Sequence, residues 1–491
     1  MDFQRHRLGR DDWTGRRGLE VPPPTLPHHE EVEHRVREFL SAPIPSLSGD
    51  YYGSPTETAR AIFRLPKRKA PGLDGIPTIA IKQLPRRAMV AMTRLFNGML
   101  RTGHFPACWK TGRVIAKAGK DPRLVSSQRS ITLLSHIAKL FERVLLRRLL
   151  RHLTPRREQF GFRSGHSTTL QLARVLHHMA VEHNRGRRTV GVFLDIEKAF
   201  DRVWHSGLLY KLIENRIPPA LMRTVASFLK DRDFYVTVED ATSDPRPIRA
   251  GVPQGSCLSP CLRQRVSRII SSGRPRCGYT PEGPRPTAGL ARQMACRCEC
   301  HEDGALLTGQ QRAMPAKLRL RGQKVEWQTR VRYLGVQIDR SMRMAAQVEH
   351  VIHQSRAARS MLRPVLRSHL PLRVKVTLYK GYIRSRLTYA APAWYALCSI
   401  SQKKRIQAQQ NIALRMIVGA GRYVSNDVIA RDLCIETVEE FIQRIARRMF
   451  DIADQGPYEF LRNIAPMQES SSSGRPLPRE LLRTPPPKHQ N

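Results

Sequence analysis

At 491 residues the chain is too long for one core and has room for two or three domains. Lys and Arg number 84 against 41 Asp and Glu, a formal charge of +43; such an excess points to a polyanionic partner, nucleic acid above all, because each neutralised phosphate releases counterions. The apolar stretches fall far short of the run of about 20 residues that spans a bilayer, Met-Asp-Phe-Gln-Arg-His-Arg at the start offers no apolar signal core, and nine cysteines, an odd number, read as reduced thiols, so neither a membrane protein nor a secreted disulfide scaffold is expected.

Residues 1–53 read as a largely irregular linker with Pro22-Pro23-Pro24 and one helical stretch over Glu30–Leu40. Ser54-Pro55 followed by Ala59, Ile62 and Phe63 is an N-cap, a proline at the first helical position and an apolar stripe. Helical periodicity covers 79–100 and 137–150, with a strand at 112–116 between them. Thr189–Leu194 reads as a buried strand ending at Asp195, helices follow at 208–214 and 219–230, and 234–238 reads as a strand. Strands flanked by helices predict an α+β or α/β layered fold. Beyond residue 340 the chain turns helical and arginine-rich at 345–370, 372–396, 403–418 and 436–452, and residues 466–491 hold too few apolar side chains to order themselves.

Residues 263–303 do not fit their surroundings. Six of these forty-one residues are Val, Ile, Leu, Met, Phe, Tyr or Trp, while four are Pro, four Gly and four Cys, and eight are Arg with no Lys. Neither a helical nor a strand period fits, so no core strand is predicted there. Cys296, Cys298, Cys300 and His301 are separated by gaps too short for a structural zinc site. His29 and His34 stand at i+5 rather than the i+4 of a metalloprotease helix.

Asp195 closes an apolar strand, where a lone Asp is more often a cap or turn residue. Its surroundings, Phe193-Leu-Asp-Ile-Glu-Lys-Ala-Phe-Asp-Arg-Val-Trp-His205, closely resemble motif A of the reverse transcriptases of non-LTR (LINE-type) retrotransposons, particularly the jockey-like group. Gly251-Val-Pro-Gln-Gly-Ser-Cys-Leu-Ser-Pro260 is similar to motif B of that family, Lys69-Ala-Pro-Gly-Leu-Asp-Gly-Ile76 to its entry motif, and Gln159-Phe-Gly-Phe-Arg-Ser-Gly-His-Ser167 to a further one. Trp109-Lys110 through Pro122, Arg129–Leu134 and the expected strand Val331–Asp339 match in family order. The likeness covers residues 55–262 and 304–465.

The resemblance implies a right-hand polymerase of fingers, palm and thumb with a helical C-terminal region: fingers and palm within 54–340, the helical part within 341–465. It implies two-metal nucleotidyl transfer with Mg2+, since paired cations about 3.5–4 Å apart stabilise the attacking and leaving oxygens and hard Mg2+ prefers carboxylate oxygen. Asp195 would bind metal, with the Ile196 carbonyl as a further ligand. Phe200 would lie under the sugar, though a core role is its commoner use. Gln254 and Gly255 would line the nucleotide pocket, and Lys117 and Arg129 would hold the triphosphate. Asp201 is read as a structural hydrogen-bonding residue. The implied partners are an RNA template, a DNA primer and dNTP, in the nucleus or cytoplasm.

Departures from the family pattern are as informative. Ser127-Gln-Arg-Ser-Ile131 lacks the family's ring and proline beside Arg129, and no Tyr-Ala-Asp-Asp tetrapeptide stands between motif B and Val331. The adjacent acids there, Glu302-Asp303, are preceded by no apolar strand and are not read as a replacement. The chain is therefore expected to lack the family's endonuclease portion, to have residues 263–303 frameshifted or otherwise disrupted, and to be impaired in catalysis; the alternative is a non-catalytic nucleic-acid-binding relic.

Overall fold

The computed structural model describes residues 27–43, 45, 49–115, 131–155, 157–193, 199–201, 203–238, 241–262, 304–308, 318–320, 323–467 and 475–483. Helix α1 covers Pro27–Ser41 and α2 covers Pro55–Phe63, with the Ser54 hydroxyl accepting the Glu57 N–H at 3.1 Å and Pro55 placed where no helical N–H is needed. The helix expected over 79–100 is instead two, α3 (Thr78–Lys82) and α4 (Arg86–Thr102). Pro85 causes the break: it has no N–H to continue α3, and its extended backbone begins a new helix. Strands β1 (Gly112–Ile115) and β2 (Ile131–Leu133) precede α5 (His136–Leu149), α6 (Thr168–Asn184) and β3 (Val190–Phe193). Helices α7 (His205–Glu214) and α8 (Pro219–Leu229) lead to β4 (Arg232–Val238), β5 (Ala241–Thr242) and β6 (Arg246–Ile248). After 303 come β7 (Gly304–Leu307), β8 (Leu318–Leu320), β9 (Gln323–Val325), β10 (Trp327–Gln328), β11 (Arg330–Tyr333) and β12 (Val336–Asp339), then helices. Helix and sheet are mixed, as the α+β expectation requires.

The chain divides into two compact units, each discontinuous in sequence: residues 1–155 with 196–299, and residues 156–195 with 300–491. In the first, the strands run β2-β1-β4-β5 with β6 also on β4; β1 is antiparallel to β2 and parallel to β4. Its core lies among α4, α5, α7 and α8. There Phe105, fully buried, meets Phe228 edge-on at 5.2 Å and Phe141 at 5.9 Å.

In the second unit β3 runs antiparallel to β7, and β7 parallel to β10. The expected buried strand is only half buried. Phe193 packs its ring 5.0 Å from Tyr333, whereas Val190 and Val192 on the opposite face are 49% and 44% exposed, because alternate residues of a strand point to opposite faces. The segment expected as one strand over 331–339 is a hairpin: Leu334 (φ 47°) and Gly335 (φ 84°) form a two-residue turn with both residues left-handed, which suits the twist of β11 and β12. The helix Ala345–Arg367 packs on β12 and on the helix Ile400–Val418.

The helix expected over 372–396 is interrupted by a π-helical stretch at Tyr379–Arg384 and by left-handed Ala390 (φ 51°) before Ala391–Trp394. Reciprocal capping boxes, Ser399 with Gln402 and Thr437 with Glu440, start the helices Ile400–Val418 and Val438–Asp454. Part of the tail expected to be irregular is built into this unit. Leu477 and Leu481 are buried, and Arg479 places its guanidinium on Asp454 at 2.7 Å and its Nε–H on the Ile464 carbonyl, so a few well-placed apolar side chains suffice to dock a short segment.

Candidate nucleotide-binding site

In the first unit the Gly251–Pro260 turn is joined to the residues that follow Asp195 by backbone hydrogen bonds. The Gly251 N–H donates to the Val203 carbonyl at 2.9 Å and the Val252 N–H to the Phe200 carbonyl at 2.7 Å. The Gln254 amide reaches Asp201 Oδ1 at 3.4 Å, so Asp201 engages a hydrogen bond within the fold. His205 Nε2 stands 2.7 Å from the Gly251 carbonyl, which can only accept, so the proton is on Nε2. Burial lowers the His205 pKa against the raising effect of that bond, and the ring is neutral at pH 7.

Two glycines are obligatory here. Gly251 has φ +88° and a Cβ there would lie 2.8 Å from the Asp201 carbonyl oxygen; Gly255 has φ +126° and its Cβ would lie 2.6 Å from the Thr132 carbonyl oxygen. Gly251→Ala and Gly255→Ala are each expected to lower unfolding stability by about 1–3 kcal/mol in urea titration, since left-handed strain and a backbone clash both oppose the side chain. Gly255 is exposed, Gln254 half-buried, and Phe200 partly buried against the core of this unit.

The other side of the turn rests on β2 and α5. The Thr132 N–H donates to the Gln254 carbonyl at 2.8 Å. Glu142, buried in α5, takes the Ser256 hydroxyl at 2.7 Å and the Cys257 N–H at 2.6 Å on one oxygen, Oε2. Burial pushes the Glu142 pKa up, against these hydrogen bonds and the charge of Arg232; burial pushes Arg232 down to about 10, so it stays charged at neutral pH. The Lys69–Ile76 motif braces the same region: Asp74 accepts the Ser135 hydroxyl and the Ile76 N–H, and Gly72 lies so close to Ser135 that a Cβ would come within 2.5 Å of its nitrogen.

Thr132, Ser135 and Glu142 were not among the residues the sequence singled out. Glu142 left one signal: with Ala138, Leu145 and Leu149 it falls at i, i+4, i+7 and i+11, so an acid occupies an apolar stripe.

Four predicted site residues, Lys117, Arg129, Asp195 and Ile196, lie outside the described residues, as do residues 263–303 and with them Glu302-Asp303. What is described is the strand pair leading to them. In the second unit Phe193 is the ladder partner of Gly304, the last pair of β3 and β7. Asp195 follows Phe193 by two residues, and Asp303 immediately precedes Gly304. The short strand β7 follows Glu302-Asp303 in sequence.

Residues 115–276 match the family described as "Reverse transcriptase (RNA-dependent DNA polymerase)". The chain is a relative, over most of its length, of the RNA-directed DNA polymerases of non-LTR retrotransposons. It is 30% identical to the RNA-directed DNA polymerase from mobile element jockey of Drosophila melanogaster, over 89% of this chain and 51% of the relative. The probable RNA-directed DNA polymerases from transposons X-element and BS of the same fly are 30% and 31% identical, over 93% and 80% of this chain and 54% and 48% of theirs. The chain spans about half the length of these curated relatives.

Proposed function

We propose that this chain is an RNA-directed DNA polymerase of right-hand architecture, extending a DNA primer on an RNA template. In this reading the primer 3′-hydroxyl attacks the α-phosphate of a dNTP in line and pyrophosphate leaves. Gln254 and Gly255 contact the nucleotide, Phe200 lies beneath the sugar, and Lys117 and Arg129 hold the triphosphate. The basic excess tracks the backbone of the template–primer without reading its sequence.

The observation that carries the reading is the β3–β7 ladder. Strand β3 leads in sequence to Asp195, and β7 follows the Glu302-Asp303 pair. Phe193 and Gly304 are ladder partners, and in this reading the acids next to them in sequence, Asp195 and the Glu302-Asp303 pair, serve together. That is a hard-oxygen donor set of the kind Mg2+ takes, and Asp195, Glu302 and Asp303 would hold it. When bound, the metal would offset charge on the reacting oxygens. Glutamate in the first of the paired positions, one methylene longer than aspartate, supports a weakened site and lowered activity. The composition of 263–303 favours the second reading, a template-binding relic without chemistry.

Extension of a labelled DNA primer on an RNA template, with Mg2+ and with the metal chelated, separates the two. The polymerase reading expects metal-dependent elongation; the relic reading expects binding that weakens steeply with salt and no elongation under either condition. In an active chain, Phe200→Ala is expected to raise incorporation of ribonucleotides relative to deoxyribonucleotides by about tenfold or more, because loss of a filled contact removes steric discrimination.

A further inference from the structure

The buried carboxylate of Glu142 has no place in the chemistry described above, yet it sits at the centre of the turn that presents Gln254. A carboxylate with no solvent exposure is expensive to keep, and burial of this kind persists where the group is committed to hydrogen bonds. Here both bonds go to consecutive residues of the turn: the Ser256 hydroxyl and the Cys257 N–H, both on Oε2. The Ser256 oxygen in turn accepts the Leu258 N–H at 3.0 Å and the Ser259 N–H at 3.3 Å, which starts the short helical turn after it. The carboxylate therefore secures the C-terminal side of Gly255, while the Thr132 N–H secures the N-terminal side through the Gln254 carbonyl. Between these anchors stand only the Gln254 side chain and the Gly255 backbone, which is exposed. The Asp201 carboxylate also bonds to this turn, but on the Gln254 side-chain amide and at a longer 3.4 Å.

We infer that Glu142 is a positioning residue for the nucleotide, acting through the Ser256–Cys257 hydrogen bonds to hold Gln254 and Gly255 in a single binding geometry; this rests on the polymerase reading above. Glu142 does not touch the nucleotide. Its loss frees the turn, so the substrate must organise it on binding, and the cost appears in the KM for dNTP rather than in the rate of the bound complex. The identity of the acceptor matters more than its charge: Glu142→Gln keeps an oxygen at the same reach, whereas Glu142→Leu keeps the volume and removes both bonds.

Two readouts on the full chain test this. Hydrogen exchange of the 251–260 segment should show the Cys257 amide exchanging about tenfold or more faster in Glu142→Leu than in the wild type, as loss of a buried hydrogen bond predicts, and within about threefold of wild type in Glu142→Gln. Primer extension on an oligo(dT)-primed poly(rA) template should give a dTTP KM raised about tenfold in Glu142→Leu with kcat changed less than about threefold, and near-wild-type values in Glu142→Gln. The inference is overturned if the Cys257 amide of Glu142→Leu stays protected, if it is released while the dTTP KM is unchanged, or if Glu142→Gln behaves as Glu142→Leu does. A wild-type chain that elongates no primer removes the polymerase reading and with it the nucleotide role. The exchange data then still decide whether Glu142 holds the turn.

Discussion

Asp195→Asn is expected to lower primer extension by on the order of 10³-fold while leaving the unfolding midpoint close to wild type, because in the proposed mechanism the change removes a charge from the reacting centre and keeps the side-chain volume. Glu302→Gln and Asp303→Asn are expected to act in the same direction. In the polymerase reading all three serve one metal site, so they should act as a unit: the triple variant should be hardly worse than Asp195→Asn alone, as groups serving one transition state are strongly non-additive. Single-turnover extension at saturating dNTP measures this directly. Full activity in Glu302→Gln and Asp303→Asn together, with activity lost in Asp195→Asn, would show that the acids before β7 take no part.

The largest stability effect is expected at Arg148. Its side chain is 2% exposed on α5, and its two Nη groups pair with the two carboxylate oxygens of Glu57, one of them Nη2 to Oε2 at 2.7 Å, while Nε–H donates to the Tyr51 carbonyl at 3.0 Å. The bond ties α2 and the segment before it to α5 across 91 residues of sequence. Arg148→Ala leaves the Glu57 carboxylate and the Tyr51 carbonyl without their buried partner and should cost about 3–5 kcal/mol. Arg147 also reaches Glu57, at 2.6 Å, but from a side chain 51% exposed, so Arg147→Ala should cost less than about 1 kcal/mol.

The acid dependence gives an independent check. Burial raises the Glu57 pKa, but the hydrogen bond and charge of Arg148, with those of Arg147, outweigh it and leave the value below the ordinary 4.5. A depressed folded-state pKa contributes stability above the unfolded value that is lost as pH falls through the folded one. The gap between wild type and Arg148→Ala in urea unfolding should therefore be constant near neutrality and narrow below about pH 4.5. A gap unchanged down to pH 2 would mean that packing, not the ion pair, is responsible.

Much of the fold was legible in local signals. The Ser54-Pro55 start of α2, the extents of α5 and α8, and the helices near 400 and 438 agree with the structure to within a few residues, because caps and periodic stripes act between neighbours in the chain. The misreadings arose where a single residue interrupts a pattern: Pro85 splits one stripe into two helices, left-handed Leu334-Gly335 folds one strand into a hairpin, and Ala390 ends a helical run. The tail around Arg479 escaped a composition-based reading because the average over 466–491 hides two leucines and one arginine that meet a distant partner.

The family likeness was present in the residues themselves: an acid after an apolar strand, a Gly-Val-Pro-Gln-Gly turn and a large basic excess could all be read from the sequence. What holds that turn in place could not be read. Glu142 meets Ser256 across 114 positions, Asp74 meets Ser135 across 61, and Gly255 is squeezed by the carbonyl of Thr132. Such partnerships come from burial, and burial is a property of the packed chain: a carboxylate on a helix looks the same in sequence whether it faces water or the underside of a binding loop. Local propensity and motif chemistry are short-range effects and survive in the string of residues, whereas the support beneath them is set by which surfaces exclude water together.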